Sequence, residues 1–580
     1  MAASANHVLE LTSQFAKLFA FYVIVVLPAN WVALRRLSDE SIFARLALGT
    51  AAGFGLFVVS AWYVGWWSFD YLIGFWLLEA LAAGWLGRKS NSSRAAGEGP
   101  WFRHKAWLLS VPLLACALIQ LYALQFSELP LGVDSSFHCA IGRRLLDAGQ
   151  ATMDMSPLEQ MRLNYPIGSH LWLAVAAHWT GLEVHQVFRH SFPIGMMATA
   201  LVIASWAQRL FGEPSHGIGA ATAFLTCTYQ ASLLPYTWGG LPSLLAMSQG
   251  IAALYCAAFL GHRAGLILAT LLLGTTAMIH HHTMVALWGG AGAVAVFLTM
   301  VSGSSRAAAR CLVLAIGGGV LVASIYVGPL ILRAGRIGET SVLRFSEEFH
   351  WPWGHLWSWG PGLLVTTGIG LVASSRTESR FGRRLLVGLI VIWLLAFCVL
   401  DYGIRLLARY TGTVSNQPFT PSRFLFDAQI AMAVFSGFGL VRLWDWLSRP
   451  GFRYALIVGL SCWAIWQVEG NWGPVGSDAL LPLGKWAQFN LPNNALITGS
   501  SSPWVTYVFD RESTSLFIPI SELPDPERNR LKLELLYNPW RFGWSRWRQM
   551  LGKPIYLITL KNPDREPLFV SGDLAIYEAE

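Results

Sequence analysis

The feature that most constrains this chain is a succession of apolar runs, each about as long as a bilayer is thick. FAKLFAFYVIVVLPANWVAL and WLLSVPLLACALIQLYALQF are two of them. A membrane-crossing helix needs about 20 predominantly apolar residues. About fourteen segments meet that demand, near 15–34, 42–66, 68–86, 106–126, 190–211, 215–234, 240–260, 263–280, 283–300, 310–331, 360–375, 385–401, 427–444 and 452–469. Of the 580 residues, 54% are hydrophobic and only 13% charged, against about 25% charged in soluble domains. The chain therefore reads as an all-α polytopic membrane protein, and the lipid bilayer is its first partner. Its formal net charge of +8 belongs to positive loops on the cytoplasmic side, not to a nucleic-acid partner. The first apolar run lacks a basic stretch before it and reads as a true span, not a cleaved signal. Six of the seven Cys fall in apolar runs, and none has CxxC or zinc-site spacing.

One set of loops is richer in Lys and Arg, with Arg35, Arg36, Arg88, Lys89, Arg209, Arg263, Arg306, Arg376, Arg383 and Arg449 among them. These loops are expected on the cytoplasmic side. Both termini, the loops 127–165, 332–359 and 401–427, and the tail 470–580 then face outward. YPIGSHLWLAVAAHWTGL, residues 165–182, is expected to be a surface-lying or half-inserted helix, because a full crossing would reverse every later loop. Three regions follow: a three-span region with the polar linker RKSNSSRAAGEG over 1–105, a transmembrane body over 106–469, and a small α/β extracytoplasmic domain over 470–580. IYLITL and LAIYE in the tail are strand-like.

The polar candidates gather on the outer side. In GVDSSFHCAIGRRLLDAGQ, Asp134 stands at the outer end of the fourth span, and Phe137, Ala140, Ile141 and Leu145 fall on one helical face. A helix lying in the interface has this pattern and would hold Asp134 at the bilayer surface; the alternative is a solvated loop acid. Arg333, Arg336, Arg344, Arg405, Arg409 and Arg423 lie outside, where cations should be few. They suit a phosphate at headgroup depth, since the guanidinium fork binds its oxygens bidentately, or they anchor to headgroups. Arg423 stands at a span entrance beside Phe424 and Phe426. In IHHHT, residues 279–283, consecutive side chains on a helix point about 100° apart. One or two of these His are therefore expected to bond a sugar or phosphate rather than share a metal ion. In TWGGLPSLLA, Gly239 and Gly240 allow a turn and Pro242 fits a first helical turn. That segment is a plain helix entry or a backbone surface that a substrate can approach. The Trp-rich SEEFHWPWGHLWSWGPG suits an interfacial belt or a lid over a lipid-linked ligand.

In this order the pieces resemble the GT-C fold of polyprenol-dependent glycosyltransferases, which includes protein mannosyltransferases, aminoarabinose transferases and oligosaccharyltransferase subunits. GVDSSFHCAIGRRLLDAGQ is similar to the family's first outer loop. NYPIGSHLWLA is similar to its Tyr/His-Pro-Pro segment, with Ile167 in place of the second proline. TWGGLPSLLA, IHHHT and PSRFLF resemble pieces of bacterial members, and WAQFNLPNNALITG and LAIYE resemble their periplasmic tail. The resemblance spans about 106–580. WWDYG is missing, and Asp134-Ser135 replaces the Asp-Glu pair of protein mannosyltransferases, so sugar and acceptor stay open.

The resemblance implies a membrane enzyme of the bacterial inner membrane. It would move a sugar from a polyprenyl-phosphate donor to an extracytoplasmic glycan, lipid or protein acceptor, with inversion. Asp134 would be the general base. His138, Arg143, Tyr165, Trp238, His281, His282, Arg405 and Arg423 would contact substrate, Arg423 at the departing phosphate. No cofactor is expected; a divalent metal would need Asp154 or Glu159 beside Asp134. The rival is a transporter or flippase of a lipid-linked or anionic substrate. It would place ionisable groups at the membrane midplane, where Glu79 is the main exception to nearly charge-free spans here.

Overall fold

The computed structural model describes residues 5–88, 110–112, 114, 129–130, 134–156, 162–163, 165–228, 240–260, 262–301, 306–324, 328, 361–374, 380–399, 422–470, 478–499, 504–514, 521–522, 526–537, 542–562 and 565–579. The expected span near 106–126 falls almost wholly outside them, as do the linker after Arg88 and the Trp-rich segment.

The chain opens with α1 (Ala5–Arg36), α2 (Ile42–Tyr63) and, after a 3-10 turn at Phe69–Tyr71, α3 (Leu72–Arg88). Ser41 starts α2, its side chain accepting the Ala44 amide at 3.2 Å as an N-cap. Next come α4 (Ser135–Ala148), the short strand β1 (Arg162–Leu163), α5 (Gly168–Thr180) and α6 (Val184–Phe211). Gly149 and Gly181 end α4 and α5 at φ 62 and φ 69, a left-handed conformation that glycine adopts without a Cβ clash. The body continues through α7 (Pro214–Cys227), α8 (Leu241–Phe259), α9 (His262–Ile279), α10 (His281–Val301), α11 (Arg306–Val322), α12 (Pro361–Ala373), α13 (Arg380–Phe397), α14 (Ser422–Trp446) and α15 (Pro450–Gly470). Among the described residues six helices are long and apolar enough to cross a membrane: α1, α2, the 3-10 turn with α3, α6, α8 and α10. The protein is a polytopic helical membrane protein, and every expected span outside 106–126 overlaps a helix among the described residues.

For residues 165–182, expected to be surface-lying or half-inserted, the structure shows a short helix enclosed by its neighbours, which does not fit the first alternative and is compatible with the second. α5 has 13 residues, about 20 Å of helix, which falls short of a hydrocarbon core of about 30 Å. It does not lie on the surface either, for its residues Gly168–Ala177 are all buried. Trp172 explains this: its ring packs among Phe21, Tyr22, Phe54 and Phe57, and its Nε1 donates to Ser191 Oγ at 2.8 Å. α5 is a wedge against α1, α2 and α6.

α14 packs backbone to backbone on two neighbours. A Cβ at Gly437 would overlap the Ala220 backbone on α7, and one at Gly370 on α12 would overlap the Phe435 carbonyl. Small residues let membrane helices approach this closely. Gly437→Val should therefore destabilise by about 1–3 kcal/mol, the usual range for overpacking, read as a lower thermal midpoint in detergent. An unchanged midpoint would show that these helices do not meet this way.

The C-terminal domain comprises α16 (Leu480–Asn490), β2 (Leu496–Thr498), α17 (Trp504–Phe509), β3 (Glu512–Ser513), β4 (Ser521–Glu522), α18 (Pro526–Tyr537), α19 (Trp544–Leu551), β5 (Ile555–Leu560), β6 (Phe569–Ser571) and β7 (Leu574–Glu578). Five strands form one sheet in the order β3-β2-β5-β7-β6. β2 runs parallel to β3 and β5, and the strand-like IYLITL and LAIYE pair antiparallel as β5 and β7, Ile558 opposite Ile576. Several contacts among the described residues tie this domain to the body, two of them through β1 and α6. β4 pairs with β1, Glu522 opposite Arg162, and the Tyr507 hydroxyl meets the His185 amide at 3.1 Å and its Nδ1 at 2.9 Å.

Candidate functional site

Asp134 precedes the first turn of α4. Its backbone carbonyl accepts the His138 amide at 3.0 Å, so acid and imidazole stand one turn apart on the same face. α4 is more enclosed than an interfacial helix. Ser135, Ser136, His138, Cys139, Ala140, Ile141 and Leu145 are all buried, because α5, α6 and α17 pack around it. Asp134 itself is half-buried.

From His138 the polar contacts run inward. Its Nδ1 lies 2.9 Å from His170 Nε2 on α5, and its ring stacks on Phe188 of α6. Tyr165, three residues before the start of α5, sets its ring 5.7 Å from His170 and 5.2 Å from His281, in both cases edge-on. Burial pushes the His170 imidazole down to about 3, opposed by the Pro166 carbonyl, which favours a proton on the ring. This ring is neutral at any physiological pH.

The three consecutive His diverge. His280 closes the turn before α10: its Nδ1 accepts the Thr283 amide at 3.3 Å and lies 2.8 Å from Thr283 Oγ1. His281 is half-buried beside Tyr165. His282 faces α14, where its Nε2 meets Asp427 Oδ2 at 3.4 Å, both side chains 1% exposed. Phe424, one turn earlier on α14, packs on the His282 ring. Four elements, α4, α5 with the segment leading into it, α10 and α14, thus converge on one imidazole and tyrosine cluster. Among the described residues no group of three His, Cys, Asp or Glu could hold a metal ion.

Arg143 is placed elsewhere, about two and a half turns along α4. Its guanidinium pairs with Asp147 at 3.4 Å and Glu183 at 3.8 Å. Burial works against its charge, but Asp147, Tyr507, Asp510 and Glu183 together raise its pKa above the ordinary arginine value. Arg143 joins α4 to α6 and to the C-terminal domain rather than to the imidazoles. Arg144 Nε donates to the Asp154 carbonyl at 3.1 Å. Trp238, Arg405, Glu159, Glu347 and Glu348 lie outside the described residues. Arg423 is in the first turn of α14, one turn before Asp427, and its side chain is outside the description. Two members of the cluster, His170 and Asp427, were not singled out from sequence. For Asp427 the available signal was a lone acid inside the apolar FLFDAQIAMAVF.

No protein-family model and no curated protein matches the sequence. Solved structures do match the fold. ArnT from Cupriavidus metallidurans bound to undecaprenyl phosphate aligns with a TM-score of 0.54 at 12% identity, over 82% of this chain and 98% of that one. The same protein in its apo state gives 0.54 at 12% identity, over 81% and 97%. This chain has the GT-C fold. The Archaeoglobus fulgidus oligosaccharyltransferase, tethered with an acceptor peptide, aligns at 0.50 with 14% identity, over 80% and 70%. In the GT-C fold of this chain the imidazole cluster lies beside α4, the helix on which the C-terminal domain docks through α17.

Proposed function

We propose that the protein is an integral membrane glycosyltransferase that moves a sugar from a polyprenyl-phosphate donor to an extracytoplasmic acceptor by inverting displacement. The observation that carries this reading is the position of Asp134, one turn from a buried imidazole and tyrosine cluster built by four elements of a GT-C fold. The neighbouring folds lend support: one was solved with undecaprenyl phosphate and another with an acceptor peptide.

In this mechanism the acceptor hydroxyl attacks the sugar C1 while its proton passes to the Asp134 carboxylate. The C1–O bond to the phosphate breaks, and the electron pair leaves with the polyprenyl phosphate. A positioned base of this kind contributes about 10²–10⁴-fold in rate. Arg423 stabilises the departing phosphate, and Tyr165 and His281 line the approach to it, while His282 is buried behind them against Asp427. The deciding experiment is turnover of polyprenyl-phosphate sugars by the purified protein in nanodiscs. Release of polyprenyl phosphate together with a glycosylated product is the expected result. Failure to bind undecaprenyl phosphate, with no turnover of any sugar offered, would refute the reading.

Two further expectations belong to it. Catalysis needs no divalent metal, a reading supported by the way the histidines pair off, His138 with His170 and His282 with Asp427. Activity should survive a chelator; loss on chelation that Mn²⁺ or Mg²⁺ reverses would overturn this. The protein sits in a bacterial inner membrane with its C-terminal domain outside the cytoplasm. A reporter fused after Glu580 should be active only when exported, and activity confined to the cytoplasm would reverse the topology.

A further inference from the structure

The start of α6 is held from another domain. A helix leaves its first four amides without partners inside the helix. Two of those in α6 are settled within the first turn. Gln186 Oε1 accepts the Glu183 amide at 3.1 Å, and the Glu183 carbonyl accepts the Gln186 amide at 2.9 Å. The His185 amide is satisfied from outside, by the Tyr507 hydroxyl of the C-terminal domain at 3.1 Å. An amide can only donate, so the hydroxyl oxygen is the acceptor here. The same oxygen lies 2.9 Å from His185 Nδ1. Both side chains are buried, Tyr507 2% and His185 7% exposed, where a backbone amide without a partner costs about as much as a lost hydrogen bond.

The helix beside this cap is the one that follows Asp134. α4 and the first turns of α6 touch at two places, in opposite order along the chain. Gly142 of α4 meets Val184 so closely that a Cβ there would come within 2.9 Å of Val184 Cγ1. One turn back on α4 and one turn on along α6, the His138 ring stacks on Phe188, centroids 6.1 Å apart at 21°. His185 falls between these two contacts. α17, which carries Tyr507, packs on α4 itself. A close-packed interface passes a displacement on instead of absorbing it. The position of the first turn of α6 therefore sets the place of His138, and with it the turn whose first carbonyl belongs to Asp134.

We propose that Tyr507 is a positioning residue: its hydroxyl, delivered by the C-terminal domain, caps α6 and holds it in register against α4, so that Asp134 and His138 are set in place by the docked domain. Tyr507 acts through α6 and not on substrate. The positioning role stands on the hydrogen bonds and the packing; its consequence for sugar transfer rests on the glycosyltransferase reading. The C-terminal domain is on this account part of the construction of the site, not an appended module.

The test is amide hydrogen exchange resolved to single residues, on the full chain in nanodiscs. In the wild type the His185 amide should exchange as slowly as the interior of α6. A wild-type His185 amide that exchanges as freely as an uncapped helix start overturns the proposal without any variant. Tyr507→Phe keeps the ring and removes the hydroxyl. The amide at position 185 should then exchange about 10-fold faster, as the loss of one ordinary hydrogen bond implies, with the C-terminal strands little changed. Unchanged protection there in a folded Tyr507→Phe protein also overturns the proposal. The second readout is the ¹⁵N signal of the His138 ring, assigned by its loss in His138→Gln. It should shift in Tyr507→Phe, because that ring lies on Phe188; a fixed His138 signal beside a freed amide at 185 would confine Tyr507 to a local cap and overturn the positioning role. With an active preparation, Tyr507→Phe should lower single-turnover rates by about 10–10²-fold, the upper figure being the loss that a misplacement of about 1 Å can cause, and leave the affinity for undecaprenyl phosphate unchanged. Equal losses in affinity and rate would put Tyr507 in the donor's binding surface and overturn the proposal. The expected exchange and ¹⁵N results in a protein that transfers no sugar would support the positioning role and overturn only the glycosyltransferase reading.

Discussion

Asp134→Asn should lower turnover of a polyprenyl-phosphate sugar by at least about 10²-fold, the low end for loss of a general base. The substitution keeps size and most hydrogen bonding but removes basicity. It should leave the start of α4 in place, because the Asp134 side chain makes no capping hydrogen bond there; a lost cap would cost about 1 kcal/mol. Binding of the lipid-linked donor should change little, since the donor phosphate is assigned to Arg423 and not to Asp134. Arg423→Ala should weaken donor binding and turnover together, because a phosphate contact exists in both the ground and transition states. The measurements are single-turnover rates and donor affinities of folded variants in nanodiscs, beside their thermal midpoints. A structural role for Asp134 predicts the opposite pattern, with a lowered midpoint and near-normal turnover in whatever protein folds. That outcome would move the search for the base to Asp154, Glu347 or Glu348.

The helices were legible because bilayer thickness imposes a length that composition reveals directly. α2, α6, α8 and α10 stand where the apolar runs placed them. Segment 165–182 was harder, because nothing in a hydropathy pattern tells a membrane surface from a protein interior. Trp172 settled it by entering an aromatic nest drawn from α1 and α2. In the tail, IYLITL and LAIYE were readable as strands by length and residue type. Their neighbours β2 and β3 have three and two residues, too few for any period to show.

The candidate site was legible as ordered motifs, but its pairings were not. His138 and His170 are 32 residues apart, and nothing local ties them. Asp427 is a single acid in an apolar run, where it hardly changes the average, and its relation to His282 exists only once α10 and α14 pack. Arg143 shows both sides of this. Its pair with Asp147 is an i, i+4 contact that spacing can suggest. Glu183 and the C-terminal domain reach it only through the tertiary fold.

The contact between Asp427 and His282 should appear as a coupling energy. Both side chains are 1% exposed and lie 3.4 Å apart, on helices that meet at the cluster. Burying a carboxylate is costly, and an imidazole facing it offsets part of that cost only while both are present. Breaking a buried pair by removing one partner costs about 3–5 kcal/mol, whereas replacing both by apolar groups is far milder. His282→Leu and Asp427→Leu should therefore each lower the stability of the protein in mild detergent markedly. The double variant should be more stable than the sum of the two losses predicts, by about 0.5–3 kcal/mol, the usual range for residues in contact. Gly437→Val, which acts through helix packing and not through this pair, should add to either single loss with no such coupling. Strict additivity between His282→Leu and Asp427→Leu would mean that the two side chains do not act on each other. The partner that holds His282 in place would then have to be sought in Phe424, whose ring also lies against it.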